Sequence, residues 1–584
     1  MRKTVWWGCF VQMLLASVVW AQANRATITG TVTDSSGAVV AGVEVTATNS
    51  DTNVATKTVS NQDGIYVLPN LPPGHYAVEF RKEGFQAEQL PAVTLISTQV
   101  AKLDASLQVG SVNTSVTVST NAPVLEQERA SIGTNMQASV VNDLPLSIYG
   151  GGRFVEDFAV AITPGYSPIS SHYGAVVNGG QWFTKDSKDY TVDGTSGTAD
   201  IQGNSMQNGP SMEAVQELQA QTSGLDAQSS ITGGGVMSFN LKSGTNRLHG
   251  SAFAYGHNEL LDANTWTNNN QGIPKGRARA WDYGGSVGGP IRKNKTFFFG
   301  TFERYIQTDF RLGGFSSVVP TADFLNGNFS ALLDKSQVLD TDTHGHPVYA
   351  GAIFNPNDPG AVFAGNIIPS SMFSKVSQKI VAIYQKSYAP QTSGLNANNR
   401  LPLSNSPAQT PNEAVIKLDH NLADADRLSG SWVYNHKPRT LVDSGGVWEA
   451  GTTDGGPLSA SRTNSFHSDQ WRLSESHIFS SNLLNVLNLT YNYDWQGDQP
   501  SAAGNWPEQL GLGSTVATNF SLIGFGSDVN GHKEDFMGNS FQGSFAGASM
   551  IAGDSVTWTK GRHNFTLGGD FHAHQVNSHS GRAR

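Results

Sequence analysis

The sequence predicts a mainly β protein, with a small β-sandwich near the N-terminus and part of a large transmembrane antiparallel β-barrel in the C-terminal region. Three observations lead to this fold class. Glycine-punctuated stretches of alternating residues recur through the last three-fifths of the chain, only 14% of residues are charged, and 63 of the 584 residues are glycine. A typical globular domain carries about 25% charged residues. Long, aromatic-rich strands fit a barrel wall in a bilayer.

The clearest hairpin lies between residues 281 and 306. Its strands are Trp281–Gly289 and Thr296–Ile306, and the turn between them is Pro290–Lys295. Glycine is too frequent for a helix, and large side chains recur at a spacing close to two. The pattern therefore predicts two adjacent antiparallel strands.

The first 23 residues have the pattern of a secretory signal peptide. Basic residues are followed by an apolar run from Val5 to Trp20, and Ala21-Gln22-Ala23 suits cleavage. The alternative is a buried N-terminal helix. Cys9 is the only cysteine, so cleavage after Ala23 leaves no thiol for disulfides, metal sites or nucleophilic catalysis. No later stretch is apolar enough for a spanning helix, so a membrane-embedded chain would have to cross as strands.

Residues 24–108 read as a small all-β domain. Short alternating segments such as Arg25–Asp34, Val43–Asn49 and Tyr76–Phe80 are separated by glycine and proline turns. This regular spacing is typical of a sandwich. The apolar positions expected to form its core are Ile28, Val32, Val43, Val45, Tyr66, Leu68, Leu71, Tyr76, Val78 and Phe85.

Residues 109–245 show a less regular pattern, in which strand and helical signals are mixed. A strand signal at Asp189–Gly194 ends in a turn, Met212–Ala214 suits a helical turn capped by Ser211, and Val236–Leu241 suits another strand. Long loops separate these pieces. The segment is predicted to be mixed α+β, unlike a compact enzyme domain.

Residues 246–584 contain strand-like pieces and long polar loops. The segment Gly313–Asn412 is too long for a hairpin turn and is expected to be a large extracellular loop, with a short helix at Lys375–Tyr384. The candidate wall strands are Arg247–Gly256, Trp281–Gly289, Thr296–Ile306, Ala414–Leu422, Arg427–Asn435, Ser465–Phe479, Leu483–Asp494 and Asp554–Phe571.

Aromatic residues in this region allow two interpretations. In a barrel, several tryptophans would form a girdle at the membrane interfaces; otherwise they pack within a β-fold in water. In the hairpin, Phe297 and Phe299 share one face while Phe298 and Phe302 share the other. The spacing does not say which face meets lipid.

The N-terminal domain resembles the carboxypeptidase regulatory-like family. The residues that carry the resemblance are Ile28–Val32 and Asp63–Phe85, DGIYVLPNLPPGHYAVEFRKEGF. The resemblance implies a transthyretin-like sandwich without catalytic residues. The module is also classed with carbohydrate-binding-like folds, which leaves sugar binding open without indicating a specific residue.

A second resemblance covers the middle of the chain. It is carried by DYTVDGT (Asp189–Thr195), Ser211–Gln228, Gly233–Trp266 and Trp281–Tyr305. Together these blocks are similar to the plug-to-barrel junction of TonB-dependent outer-membrane receptors, in particular the Oar-like subgroup. Val319–Leu333 and Gly365–Ile380 resemble that subgroup's extracellular loop.

This resemblance implies a barrel of about 22 strands closed by an α+β plug, residues 109–245. The receptor would lie in the cell outer membrane, with its N-terminal domain in the periplasm after signal-peptide cleavage. Its partners would be outer-membrane lipid, TonB with its inner-membrane energising complex, and an imported ligand, for which a glycan is an open option. Ligand selectivity is expected from 181–188, 200–210 and 313–412.

The sequence departs from the family in two respects. Roughly eight to ten candidate strands follow Asn246, fewer than half of a full wall, so we expect a truncated or fragmentary reading frame. The TonB-contact segment is also indistinct. The best candidate is Ser115, Val116, Thr117 and Val118, and the alternative is an ordinary strand or linker.

Metal and cofactor chemistry is not predicted. His344 with His346, and His572 with His574, would each place two imidazoles on one strand face, but neither pair has a third ligand at metal spacing. Asp340–Gly345 is similar to the start of a calcium loop, yet Gly351 stands where the closing glutamate belongs. Loop or pore-lining histidines are the better interpretation of the two pairs, and a polar turn is the better interpretation of Asp340–Gly345.

Two glycine motifs are also expected to be structural. Gly233–Gly235 lacks the lysine and helix of a phosphate loop. Gly284–Gly288 matches a nucleophile elbow, which needs a following helix, whereas a turn and a strand follow here. No catalytic residues are predicted, and the protein is expected not to be an enzyme.

The leading functional hypothesis is therefore a TonB-dependent transporter that imports an unidentified ligand. The alternative is a cell-surface binding or adhesion protein that uses the N-terminal sandwich. A formal net charge of −10 argues against nucleic acid as a partner.

Overall fold

The computed structural model describes residues 25–97, 99–110, 115–117, 132–137, 140, 163–170, 174–177, 189–197, 209–223, 235–270, 272, 275–276, 278–309, 316–318, 320–387, 400–402, 406–446, 459–480, 482–500, 506–512, 541–560 and 563–582. The predicted signal peptide, Val118, Gly233, Gly234, residues 181–188 and most of 200–210 lie outside these ranges.

The N-terminal region folds into two sheets packed face to face. One has the order β4-β1-β7 with β8 also paired to β1, and the other has the order β3-β2-β5-β6-β9. The strands are β1 (Ala26–Asp34), β2 (Glu44–Asn49), β3 (Ala55–Val59), β4 (Ile65–Leu71), β5 (Gly74–Arg81), β6 (Ala87–Leu95), β7 (Val100–Lys102), β8 (Ala105–Leu107) and β9 (Ser115–Thr117).

The sandwich core contains nine of the ten predicted apolar positions, and the tenth, Phe85, is partly buried and packs against it. Tyr66 meets Phe80 edge-on across the two sheets, with ring centroids 5.5 Å apart, and its hydroxyl donates to the Leu103 carbonyl at 2.6 Å. Gly30 is required beside them, because an added Cβ would lie 1.9 Å from the Leu103 oxygen. Alternation of apolar residues therefore identified this core correctly.

A smaller sheet follows, which we call the central sheet. Its order is β10-β15-β16-β13-β14, and β11 and β12 form a separate hairpin. The strands are β10 (Ile132–Gln137), β11 (Tyr166–Ser170), β12 (Gly174–Val177), β13 (Asp189–Val192), β14 (Thr195–Ser196), β15 (Val215–Ser223) and β16 (Val236–Leu241). The predicted helical turn is a 3-10 turn, Met212–Ala214, but the Ser211 side chain makes no capping bond to it.

The C-terminal region builds one ten-stranded antiparallel sheet, which we call the wall. Its order is β17-β18-β19-β25-β26-β27-β28-β29-β30, and β24 also pairs with β19. The wall strands are β17 (His249–Asn258), β18 (Ala278–Arg292), β19 (Thr296–Asp309), β24 (Ser406–Gln409), β25 (Asn412–Asn421), β26 (Asp426–Gly446), β27 (Ser459–Ser480), β28 (Leu483–Pro500), β29 (Phe541–Lys560) and β30 (His563–Arg582). Within the described residues β17 and β30 are its edges, so the barrel is not closed.

The connections between wall strands differ greatly in length at the two ends of the sheet. At one end of the sheet, which we call the short-turn end, two to four residues separate β18 from β19, β25 from β26, β27 from β28 and β29 from β30. The opposite end carries the long connections, which hold α1 (Trp266–Asn270), β20 (Ser316–Val318), α2 (Ala322–Leu325), β21 (Asp334–Thr341), β22 (Pro347–Ala350), α3 (Lys375–Ser387), β23 (Arg400–Pro402) and α4 (Trp506–Leu510). The helix predicted at Lys375–Tyr384 is present as α3.

One predicted strand was wrong. Asp554–Phe571 was expected to be a single strand, but it contains the end of β29 and the start of β30, with Lys560 paired to His563. The register runs from Lys560↔His563 to Phe541↔Arg582, so the two strands form one long hairpin. Apolar residues alternate in the same way in both strands, so the alternation did not reveal the boundary between β29 and β30.

The two faces of the wall have the reverse of the usual distribution. The face away from the central sheet is exposed and apolar: Trp281, Tyr283, Phe302, Ile416, Leu418, Trp471, Leu473, Leu487, Leu489, Tyr491, Met550, Trp558, Phe565 and Leu567. The buried positions on the other face are largely polar: Asp282, Thr301, Glu303, Lys417, Asn435, Ser468, Gln470, Arg472, Asn488, Thr490, Asn492 and Ser549. An apolar outer band around a polar interior is the pattern of a transmembrane barrel.

This distribution settles the faces of the aromatic hairpin. Phe297 and Phe299 are buried on the inner face, whereas Phe302 is half exposed on the outer face. No helix in the described part of the chain is both long and apolar enough to cross a membrane.

Candidate functional site between the central sheet and the wall

The sharpest feature of the central sheet is the two-residue turn that joins β13 to β14. Asp193 and Gly194 have φ values of 47° and 89°, which is the arrangement of a type I′ hairpin turn. Val192 pairs with Thr195 across it. The Asp-Gly sequence that predicted a turn thus forms a tight hairpin.

Asp193 connects this turn to the wall. Its Oδ1 accepts from the Leu241 amide at 2.9 Å, and its Oδ2 lies 3.0 Å from Lys417 Nζ on β25. Lys417 also donates to the Leu241 carbonyl at 3.3 Å. The lysine side chain is 9% exposed and the aspartate 23%. One ion pair therefore fixes β13, β16 and β25 together.

Thr195, on the far side of the turn, contacts two further wall strands. Its Oγ1 accepts from Arg472 Nε on β27 at 3.1 Å and from Thr490 Oγ1 on β28 at 3.0 Å. Asn492 Nδ2 donates to the Ser196 carbonyl at 3.0 Å. The hairpin is thus bound by three adjacent polar side chains of the inner face.

Tyr190 sits at the base of the same hairpin. Its hydroxyl accepts from Gln470 Nε2, and its ring meets Phe239 edge-on at 6.2 Å. Burial raises the pKa of Tyr190 well above its ordinary value, so the phenol stays neutral.

An apolar cluster backs these polar contacts. Phe299, Val415 and Val433 from the wall pack in one core with buried side chains of the central sheet, including Leu218 and Phe239. At the other end of the sheet, two more bonds join it to the wall: Ser211 Oγ lies 3.1 Å from Thr301 Oγ1, and Ser251 Oγ donates to Glu213 Oε2 at 3.0 Å. The central sheet is therefore held along the inner face, not at one point.

The sandwich contacts both the wall and the central sheet at the short-turn end of the wall. Arg427 Nη2 on β26 donates to Thr56 Oγ1 at 2.6 Å, and the Asn246 amide donates to the Asp51 carbonyl at 2.9 Å. The Ser97 amide donates to Glu217 Oε2 of the central sheet at 2.9 Å. A cavity of about 260 Å³ remains at this junction, lined by all three units.

The candidate TonB-contact residues lie on the sandwich. Ser115, Val116 and Thr117 form β9, which pairs in parallel with Ala87–Gln89 of β6. None of the contacts of the Asp193 hairpin described above involves these three residues. Their role in binding TonB remains a prediction.

The loop histidines take up hydrogen bonds within their own loop. His344 Nε2 lies 2.8 Å from Asp358 Oδ2, which raises the pKa of His344. Asp342 accepts from the amides of His344 and His346 at 2.9 and 2.7 Å, and from the Val362 amide at 3.3 Å. The segment expected to be a polar turn is therefore organised around the Asp342 carboxylate.

We expect this loop to loosen in acid. Burial alone would raise the pKa of Asp342, but the amides of His346, Val362 and His344 outweigh it and lower the pKa from 3.8 to about 2. A folded-state pKa below the unfolded one contributes stability that is present above about pH 4 and is lost as the pH falls towards 2. Hydrogen-exchange protection factors of those three amides should fall over this interval. Asp342→Asn should lack that pH dependence, and persistence of it in the variant would contradict the assignment.

Two further motifs from the sequence lie in strands of the wall. Gly284–Gly288 lies inside β18 and a turn and strand follow it, as predicted. His572 pairs with Asp570 on β30, and the rings of His572 and His574 are 5.9 Å apart.

Sequence reasoning missed the wall residues that bind the hairpin. Lys417, Gln470, Arg472, Thr490 and Asn492 are single polar residues scattered over three strands. The available signal was their alternation with Trp471, Leu473 and Leu489, which marks the polar positions as facing inward if the apolar ones face lipid.

A wall with an apolar outer face and a polar inner face defines a class, the β-barrels of the outer membrane. Residues 240–583 match the family described as "Outer membrane beta barrel domain", and the chain belongs to that family. Residues 27–108 match the "Carboxypeptidase regulatory-like domain".

Among characterised proteins, the chain is 29% identical over 309 residues to the "TonB-dependent transporter Oar" of Myxococcus xanthus. The resemblance to Oar-like receptors is thereby confirmed as homology. The match covers 51% of this chain and 28% of the relative, so the chain spans less than a third of that protein's length.

Two solved structures show weaker similarity. The outer membrane transporter YddB from Escherichia coli has 11% identity and a TM-score of 0.42, covering 77% of this chain and 48% of its own. Wild type catechol 1,2-dioxygenase from Acinetobacter radioresistens has 13% identity and a TM-score of 0.13, covering 18% and 58%. At these values neither similarity carries an argument.

The Asp193–Lys417 pair provides a direct test of how the central sheet is held. Lys417→Met should cost about 1–3 kcal/mol of unfolding free energy, because it leaves a partly buried carboxylate without its cation. Hydrogen exchange of residues 189–197 should rise in the same variant. Lys437→Met is the matched control, since Lys437 pairs with Glu413 at 2.7 Å within the wall. Equal exchange at 189–197 in both variants would contradict the anchoring role.

Proposed function

We propose that the protein is a TonB-dependent outer-membrane receptor that imports an unidentified ligand. The observation that carries the proposal is the central sheet bound by its Asp193 hairpin to the polar face of an inside-out wall. A sheet in that position would block the lumen. The name of the Myxococcus relative supports transport rather than the adhesion alternative.

The parts of the chain take separate roles in this proposal. Residues 109–245 are the plug, and the polar wall face lines the path of the ligand. Barrels of this kind carry short turns on the periplasmic side and long loops outside. The sandwich then lies in the periplasm, where Arg427 and Asn246 hold it at the short-turn end. The 313–412 loop faces the exterior and contributes to ligand selectivity.

The plug contacts suit a gate that is moved by force. Each net hydrogen bond contributes about 0.5–1.5 kcal/mol, because water can replace either partner. Bonds such as Arg472–Thr195 and Asn492–Ser196 can therefore be exchanged one at a time for water in the lumen. TonB would supply the pull through Ser115–Val118, and β9 must leave β6 before that segment is free to pair with a partner strand.

The TonB contact is tested with the purified full chain in detergent and the immobilised periplasmic domain of TonB. Val116→Pro should weaken capture at least tenfold, since proline removes a strand donor and restricts φ. Val109→Pro, in the same connection and 74% exposed, is the control and should bind as the unaltered chain does. Unchanged capture by Val116→Pro would reject residues 115–118, and no capture of the unaltered chain would reject the function. Carbonate-resistant membrane association and heat-modifiable migration should accompany binding.

A further inference from the structure

Three metal-ligating side chains meet on the outer face of the wall, at the short-turn end. Asp426 begins β26, and it lies opposite His477 of β27 in the antiparallel register. Glu475 is two residues before His477, so it projects from the same face. One ligand atom from each of the three lies within 4.8 Å of the other two.

The charges around this triad are unbalanced. Asp426 Oδ1 lies 2.5 Å from His477 Nδ1, so one proton already bridges these two groups. Glu475 adds a second carboxylate, and one of its oxygens lies within 4.8 Å of the ligand atoms of both Asp426 and His477. Two carboxylates therefore share a single imidazole at the edge of an apolar surface. A cation at this point would relieve their mutual repulsion.

We propose that Asp426, Glu475 and His477 form a binding site for a divalent transition-metal ion, Zn²⁺ being the best match. Imidazole nitrogen with carboxylate oxygen suits zinc, whereas calcium and magnesium take oxygen ligands alone. The ion binds the unprotonated ligand atoms of the three side chains, and water completes the coordination.

The position of the site favours an ion that keeps an open coordination position. The His477 and Asp426 side chains are 34% and 31% exposed, so the site is open on one side. His477 also packs edge-on against Phe479 at 4.3 Å, which limits the rotation of the imidazole. Two adjacent strands thus hold the ligands without help from a flexible loop.

A second pair on the same strand provides the control. His467 Nε2 lies 2.8 Å from Asp469 Oδ2 on the same face of β27. Within the described residues, no third carboxylate or imidazole ligand joins this pair at metal-binding distance. It therefore reproduces the histidine–aspartate contact without the complete triad.

The test uses the full chain in detergent with Cys9→Ser, so that no thiol contributes. Equilibrium dialysis against ZnCl₂, and separately CaCl₂, is followed by elemental analysis of bound metal. We expect one Zn²⁺ per chain and no calcium at the same free concentration. Glu475→Gln and His477→Ala should each weaken zinc binding at least tenfold, while His467→Ala should not.

Far-UV circular dichroism and heat-modifiable migration check that each variant is folded. Glu475→Gln keeps the size and hydrogen-bonding capacity of the side chain, so it separates lost ligation from lost structure. Zinc binding that is absent, or unchanged in Glu475→Gln, or lost equally in His467→Ala, would overturn the proposal. None of these results depends on the imported ligand or on TonB.

Discussion

Leu489→Arg is expected to destabilise the protein in a lipid bilayer by about 2–4 kcal/mol, the cost of an arginine near the midplane of a barrel's lipid face. Leu489 lies in the middle of β28 and is 42% exposed, between Leu487 and Tyr491, which are exposed on the same face. In water such a substitution at a half-exposed position would be nearly neutral. The size of the effect therefore reports whether this face meets lipid.

The matched control is Val59→Arg in the sandwich. Val59 is 51% exposed, comparable with Leu489, but it lies on the sandwich strand β3, on the exposed face opposite to that of Thr56. Its replacement should change stability by no more than about 0.5 kcal/mol. Urea titrations of both variants, folded into phosphatidylcholine vesicles and followed by tryptophan fluorescence, measure the difference. Equal, small losses would show that the wall face is not in contact with lipid.

Phe239→Ala is expected to cost about 3–5 kcal/mol of unfolding free energy, the range for truncating a fully buried phenylalanine. Phe239 is 1% exposed, and its ring packs against Tyr190 in the cluster that includes Phe299, Val415 and Val433 of the wall. Removing it leaves a cavity where the central sheet meets the wall. The lost free energy should thus appear both in global unfolding and in local release of β13 and β16.

Phe239→Leu distinguishes packing from a general loss of structure. Leucine fills most of the site, so the loss should be clearly smaller than for alanine. Urea unfolding gives the stability, and hydrogen exchange of residues 236–241 gives the local release. A loss below about 1 kcal/mol for Phe239→Ala would mean that the apolar cluster does not hold the two units together.

The sequence predicted the local elements well where one face alternates against water. The N-terminal core is an example: Ile28, Val45, Tyr66, Val78 and five other expected positions are found in it, and Phe85 packs against it. Turn chemistry was equally informative at Asp193-Gly194, because positive φ values favour these residues. Such features depend on a few neighbouring residues, which a single sequence contains.

Predictions failed where the pattern was the same on both sides of a boundary. Alternation runs from β29 into β30 without a break, so the hairpin was taken for one strand. Ser211 has the residue type of a helix cap, but its hydroxyl bonds to Thr301 on β19 instead. In that case a tertiary hydrogen bond replaced the local capping bond that serine favours, and its partner Thr301 is distant in sequence.

The candidate metal triad escaped prediction for a related reason. Its ligands come from residues 426 and 475–477, and only the register of β26 against β27 brings them together. The paired histidines that attracted attention, His344 with His346, contact Asp358 and Asp342 within their own loop. Separation in sequence therefore did not predict which potential ligands lie close together in the structure.

The amino-acid sequence alone determined the class of this protein: the alternation of strands, the glycine turns and the two family resemblances are local or collinear properties. Only the tertiary structure decided which face of each strand is polar and buried, and which central-sheet residue meets which wall residue. Alternation with a period of two defines two faces but does not say which is inside. That choice depends on what each face packs against, as Asp193 with Lys417 and Tyr190 with Gln470 demonstrate.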